Sequence, residues 1–299
     1  MHSKKLIVII GPTAVGKTAV SIQLATYFKT EIISADSRQI YKELEIGTAK
    51  PSPEELAMVK HHFINTHSIE QDYDAGGYER DAISLLDKLF KKHDSLVLCG
   101  GSGLYVKAVL EGFDEMPEIP EGTRERIMEG YQKKGLEWLQ EKVKEADPEY
   151  FELVDQKNPH RLMRALEIHI AGSKPLGELR NQKKVTRPFS VIKIGLELER
   201  EELYQRIDSR MDAMIAAGLF EEAEQLYPKR NLNALQTVGY REIFDFMDNQ
   251  FDKEEAIRLL KRNSRRYAKR QLTWYKRDPE INWFRPERLD EIMRLIENG

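Results

Sequence analysis

Near the start of the chain a short apolar run, Leu6 to Ile10, passes straight into Gly11-Pro12-Thr13-Ala14-Val15-Gly16-Lys17-Thr18, the Gly-x4-Gly-Lys-Thr pattern of a phosphate-cradling P-loop. The pattern demands a strand, a tight glycine turn and a helix in succession, so it commits the first residues to an α/β arrangement. Gly11 and Gly16 let the backbone curl until several amide N–H groups point inward, at the positive end of the helix that Lys17 and Thr18 begin. Lys17 adds a full charge for the outer phosphate oxygens, and the Thr18 hydroxyl is an oxygen ligand of the kind Mg2+ takes. The bland alternative is an ordinary glycine turn, which the complete motif behind an apolar strand makes the weaker reading.

Further short apolar runs at Glu31 to Ala35, Ser95 to Cys99 and Val191 to Leu198 read as buried strands, separated by segments long enough for helices. The expected fold class is therefore α/β, a P-loop nucleotide-triphosphatase-like core with a mainly parallel sheet. Glu111 to Pro188 interrupts this rhythm with charge-rich, helix-forming sequence and reads as a helical insertion. Boundaries are expected at 1–112 and 189–299 for the discontinuous core and 113–188 for the insertion. After it, Ile192, Ile194, Leu196 and Leu198 alternate as on a strand rejoining the sheet. Helices are expected over Leu203 to Leu226 and Glu254 to Lys276, with a last short strand at Ile281 to Phe284.

With 40% hydrophobic and 32% charged residues the chain has the composition of a soluble globular protein. No apolar run reaches the roughly 18 residues of a membrane span and no signal-peptide core follows the first residues, so a cytoplasmic location with no membrane partner is expected, as a monomer. The single cysteine, Cys99, cannot form an intrachain disulfide. His61, His62 and His67 cluster, but without thiols or a four-residue helical step they read as loop or core packing rather than a metal site.

Net charge is only −3, yet residues 257–277 hold nine Lys or Arg and no acid, and residues 157–187 hold eight against Glu167 and Glu178. Arg258, Lys261, Arg262, Arg265, Arg266, Lys269 and Arg270 recur at three- and four-residue steps, with Tyr267, Trp274 and Tyr275 interleaved. Such a stripe suits a nucleic-acid backbone with stacked bases, although aromatics at this spacing also serve cores. The second basic stretch contains His160-Arg161-Leu162-Met163-Arg164 and favours the nucleic-acid reading.

Asp36, at the expected carboxyl end of the second strand, stands where open α/β sheets bind ligands. It could hold Mg2+ through water or accept a proton, and it could equally cap the following turn. An ATP-hydrolysing relative would need a second strand ending in an acid. Here Ser95 to Cys99 ends instead in Gly100-Gly101-Ser102-Gly103, either a close approach to an anion or a tight turn with no ligand. Arg206 and Arg210 share a helix face, and either could reach the phosphates or simply be solvated.

Seven segments taken in order, Gly-Pro-Thr-Ala-Val-Gly-Lys-Thr, Ser-Ala-Asp-Ser-Arg-Gln-Ile-Tyr, Ile-Gly-Thr-Ala-Lys-Pro, Gly-Gly-Ser-Gly-Leu-Tyr, Arg-Leu-Met-Arg-Ala-Leu-Glu, Val-Gly-Tyr-Arg and Lys-Arg-Gln-Leu-Thr-Trp, closely resemble the bacterial tRNA dimethylallyltransferases over nearly the whole chain. The resemblance implies transfer of a dimethylallyl group from dimethylallyl diphosphate to N6 of adenosine 37, in tRNAs reading codons that begin with U, with diphosphate released and Mg2+ as cofactor. It implies a general base at Asp36, with Thr18 positioning Mg2+ and the diphosphate and with Lys17, Ser102 and Arg210 stabilising the leaving charge. Ser102 stands where many members have Thr and keeps the hydroxyl. Gly11 to Thr18 would bind the diphosphate. Asp36, Ser37, Arg38, Gln39, Ser102, Arg124 and His160 to Arg164 would contact the target nucleotide region. Gln236 to Arg241, Gly239 and Arg241 among them, would hold the anticodon stem-loop together with Arg265, Arg266 and Lys269. The chief rival is a P-loop kinase or ATPase acting on a nucleotide or RNA; others are a free adenine nucleotide as acceptor and an RNA-binding module with a vestigial loop.

Overall fold

The structure, a computed structural model, describes residues 4–112, 117–172 and 185–298. It divides into two compact units: Met1–Glu111 with Thr186–Gly299, and Gly112–Val185.

The first unit is built on a six-stranded sheet of β1 (Lys5–Ile10), β2 (Ile32–Ser34), β3 (His61–His62), β4 (Ser95–Gly100), β5 (Ser190–Leu196) and β6 (Asn282–Phe284), in the order β3-β2-β4-β1-β5-β6. Every neighbouring pair is parallel. A parallel sheet covered on both faces needs apolar side chains on both, which is why β1 reads as an unbroken apolar run. Its residues alternate between two cores: Leu6, Val8 and Ile10 on one side, Ile7 and Ile9 on the other. On β5 the expected alternation holds, since Ile194, Leu196 and Leu198 enter the same core as Ile7, with Ile192 packed against it.

Helices α1 (Lys17–Tyr27), α2 (Pro53–Met58), α3 (Ala75–Leu89) and α4 (Gly103–Glu111) belong to the first half of this unit. The second unit contains α5 (Thr123–Ala146), α6 (Pro148–Leu153) and α7 (Pro159–Gly172) around its own core, centred on Leu139, Val143, Leu162 and Ile168. The chain then supplies α8 (Arg200–Ala216), α9 (Leu219–Leu226), α10 (Arg241–Met247), α11 (Lys253–Tyr275) and α12 (Leu289–Asn298) to the first unit. The helical stretch expected over Leu203 to Leu226 consists of α8 and α9, separated where Gly218 adopts a left-handed φ of 104°. No described helix is long and apolar enough to cross a membrane.

Candidate functional site

The loop between β1 and α1 lies at the carboxyl end of the sheet, pressed against β5. A Cβ on Gly11 would stand 2.5 Å from the Leu196 carbonyl oxygen, so only glycine lets the chain leave β1 there. Lys17 folds inward and donates to the carbonyls of Gly11 at 3.1 Å and Pro12 at 2.8 Å. Burial lowers its ammonium pKa to about 8; Cys99 and Asp36 act against that shift and Arg210 with it. Gly16, Lys17, Thr18, Asp36, Gly101 and Arg210 line one cavity of about 360 Å³. The loop residues do not contribute alike. Pro12 has no N–H to offer a phosphate, and the Thr13 amide is taken by Gln271 Oε1 at 2.8 Å.

Asp36 faces this cavity from the turn after β2. Its Oδ1 accepts the backbone N–H of Arg38 at 2.9 Å and of Gln39 at 3.3 Å, so it does cap the turn, and the same carboxylate also lines the cavity. The capping reading of Asp36 therefore holds, and its carboxylate is at the same time placed at the cavity. Thr18 and Asp36 thus bring hard oxygen ligands to one space, a donor set that fits Mg2+. β4 ends in Gly100 with no acid.

Ser102 corrects the expectation of a phosphate-facing hydroxyl. Its Oγ accepts the Ser37 amide at 2.9 Å and donates to Ser37 Oγ at 3.1 Å, while its amide bonds the Ala35 carbonyl at 3.2 Å. The glycine turn is stitched to the Asp36 turn instead of being left open for an anion. Ser102 lines a separate cavity of about 460 Å³ with Ser37, Arg38, Tyr105, Arg270 and Trp274. A third, smaller cavity of about 110 Å³ is shared by Asp36 and Arg210 with Ile207, Met211, Met214 and Val238. Tyr267 borders all three, and burial pushes its phenol up to about 12, aided by Asp36.

Of the two arginines on α8 that the sequence left as candidates, Arg206 pairs with Glu202 at 2.9 Å and Glu287 at 3.4 Å, whereas Arg210 lies in the cavity wall. Geometry therefore separates two residues that periodicity could not. Gly239 lines the third cavity with a left-handed φ of 107°, its amide held by Glu242 Oε2 at 2.9 Å, and Arg241 is exposed.

The basic stripe of α11 divides between two faces. Lys261 pairs with Asp212 at 2.6 Å and Arg265 with both carboxylate oxygens of Asp208, the shorter contact 2.5 Å, so these two cations are neutralised against α8. Arg266, Lys269 and Arg270 are exposed. Arg265 thus departs from the expected free phosphate contact, because its position on the helix turns it toward an acidic neighbour. In the second unit His160, Arg161, Arg164 and Arg124 are exposed, but Leu162 and Met163, expected among the contacts, are not: Leu162 has no exposure and both lie in the core. They occupy the apolar face of an amphipathic helix. Arg164 at 3.1 Å and Arg124 at 3.5 Å both pair with buried Glu167.

Residues missed by the sequence reading complete the site. Gln271 accepts from Thr13 and donates Nε2 to the Gly101 carbonyl at 2.9 Å, clamping the phosphate loop to the glycine turn. Thr48, Ala49, Glu55 and His61 also line the first cavity. The segments Ile-Gly-Thr-Ala-Lys-Pro and Lys-Arg-Gln-Leu-Thr-Trp carried the signal for Thr48, Ala49 and Gln271, but polar residues inside a basic helix give no periodic clue. The three clustered histidines do not converge: His62 bonds Glu31 at 2.5 Å and His67 bonds Thr66 at 2.9 Å. Among the described residues no group of three or more His, Cys, Asp or Glu could hold a metal ion.

A family model described as IPP transferase matches residues 39–278. The tRNA dimethylallyltransferase of Cytophaga hutchinsonii is 52% identical over 99% of this chain and 97% of its own length, and that of Christiangramia forsetii is 53% identical over 99% and 98%. Among solved structures, the full-length tRNA isopentenylpyrophosphate transferase of Bacillus halodurans superimposes with a TM-score of 0.73 at 36% identity, covering 99% of this chain and 96% of its own. A eukaryotic dimethylallyltransferase acting on tRNA gives a TM-score of 0.76 at 28% identity, over 91% of this chain and 70% of its own.

Proposed function

The chain belongs to the IPP transferase family and transfers a dimethylallyl group to tRNA, and from that premise we propose that the donor is dimethylallyl diphosphate and the acceptor the N6 amino group of adenosine 37, beside the anticodon. The observation that carries this reading is the shared cavity of Lys17, Asp36 and Arg210: cations to hold an anion and a carboxylate to serve as base line one space.

The diphosphate lies against the N-terminus of α1, where inward N–H groups, Lys17 and Arg210 favour negative charge. An amino group conjugated to a purine is a poor nucleophile, and Asp36 accepts its proton as the new N6–C1 bond forms, a contribution of roughly 10²- to 10⁴-fold. The C1–O bond to the diphosphate breaks and its electron pair leaves with the diphosphate, whose developing charge Lys17 and Arg210 stabilise. Thr18 would hold Mg2+, which when bound neutralises phosphate charge. Reaching N6 requires the base to leave its stack, and the aromatic cavity of Tyr105, Tyr267 and Trp274 offers faces for an extruded nucleotide. Exposed Arg266, Lys269, His160 and Arg161 supply the electrostatic hold on the stem-loop.

The test offers labelled dimethylallyl diphosphate or labelled ATP with unmodified tRNA and Mg2+, and maps the product. Prenyl label at adenosine 37 is expected. Phosphoryl label without prenyl transfer would establish the kinase alternative instead.

A further inference from the structure

Glu222 stands in the first turn of α9, where an acidic side chain ordinarily serves the amides of its own helix. Here it turns outward to a loop some 175 positions earlier in the chain. Oε2 accepts the backbone N–H of Glu45 at 3.0 Å and of Ile46 at 2.7 Å; Oε1 accepts the N–H of Gly47 at 2.8 Å and the Tyr240 hydroxyl at 2.6 Å. Four donors occupy the four acceptor sites that one carboxylate has. The arrangement joins Ile-Gly-Thr-Ala-Lys-Pro at 46–51 to Val-Gly-Tyr-Arg at 238–241, two segments to which the reaction itself assigns no proton or phosphate. Tyr240 closes on the loop so tightly that a Cβ on Gly47 would stand 2.4 Å from the ring.

The loop held in this way continues into the cavity wall. The carbonyls of Thr48 and Ala49 accept both amide hydrogens of Gln39 Nε2, at 3.2 and 3.1 Å. Gln39 in turn donates its backbone N–H to Asp36 Oδ1 at 3.3 Å. A chain of hydrogen bonds therefore runs from α9 through three loop amides and one side-chain amide to the turn that carries the carboxylate facing Lys17.

We propose that Glu222 is a positioning residue for dimethylallyl transfer: it fixes the loop 45–49, and through Gln39 it fixes the direction of Asp36. The proposal rests on the reading of Asp36 as the base. A carboxylate suits this task and an amide does not, because Glu222→Gln puts an NH2 group against backbone donors and leaves at least one of the four bonds unmade. Misplacement of a catalytic group by about 1 Å can cost on the order of 100-fold, so a loss of about 10- to 100-fold in kcat is expected, with the KM for tRNA within about threefold.

The experiment measures single-turnover transfer from dimethylallyl diphosphate to tRNA for wild type, Glu222→Gln, Gln39→Ala and the double variant, with active sites titrated and thermal unfolding recorded. If both residues act along one chain, the double variant loses no more than the worse single one, whereas independent effects multiply. Multiplying effects, a kcat for Glu222→Gln within about twofold of wild type, or a loss that merely follows the loss of folded enzyme would overturn the proposal. Gln39→Ala by itself, which releases the carbonyls of Thr48 and Ala49 and leaves the residue-39 backbone N–H on Asp36, keeps the test open if Glu222→Gln folds poorly: a fall in kcat at unchanged KM supports the chain, and no change overturns it. Absence of prenyl transfer by the wild type would overturn the functional reading itself, which the variants do not address.

Discussion

The cavity at the end of the sheet and the basic faces of α7 and α11 both gather positive charge, and they hold it in opposite ways. In the cavity the charges are few and fixed by backbone: Lys17 on two loop carbonyls, Asp36 on two loop amides. On the helices they are many, exposed, and partly cancelled by acids of the same unit, as Arg265 is by Asp208 and Arg124 and Arg164 are by Glu167. A buried, fixed charge alters the protonation and reactivity of what lies beside it. An exposed one adds to a field that salt screens. At the start of α7 the helix dipole adds to the charge of exposed Arg161 instead of opposing it.

The contrast breaks first at Asp36. Asp36→Ala should lower kcat by about 10²- to 10⁴-fold while tRNA affinity stays within about threefold, as single-turnover rates and filter binding will show. A variant that instead loses tRNA affinity and keeps its rate would make the cavity a binding surface like the helices.

Lys17 sharpens the contrast through pH. Its ammonium titrates at about 8 in the free enzyme, and a bound diphosphate favours the charged form and raises that value. Donor affinity should therefore be level below about pH 8 and fall by up to about tenfold per pH unit above it, with a proton taken up on binding. Calorimetry in two buffers of different ionisation enthalpy near pH 8.5 measures that uptake directly. Binding without proton uptake would mean that Lys17 is already charged.

The smallest effect separates residues within one helix. Replacing Arg266 and Lys269 together by Ala should reduce the salt slope of tRNA binding by about one per residue, whereas Arg265→Ala should leave the slope nearly unchanged. Equal slopes for all three would return the stripe to a single undivided face.

Much of the fold was legible because a parallel sheet buried on both sides writes itself as apolar runs, as Leu6 to Ile10 and Ser95 to Cys99 do. The site was legible where glycine, lysine and a carboxylate must stand at fixed distances along the chain, as in Gly11 to Thr18 and at Asp36. It was not legible where the partner is remote. Periodicity placed Arg265 and Arg266 in one stripe, but only the acids of α8 decide which is free. Leu162 and Met163 sat inside a basic segment, and the helix turned them into a core. Ser102 kept its hydroxyl and spent it on Ser37, a choice made by the packing of two turns 65 positions apart.

Gln271 carries one more consequence, for how the molecule comes into being. Its bonds to Thr13 and Gly101 reach across 258 and 170 positions, and β1 gains its partner β5 only after the whole second unit has been made. The phosphate grip thus leaves the ribosome well before the residues that complete it. A chain cut short before α11 keeps every residue of Gly11 to Thr18 and lacks the clamp that shapes them, so an interrupted product cannot assemble the finished donor site.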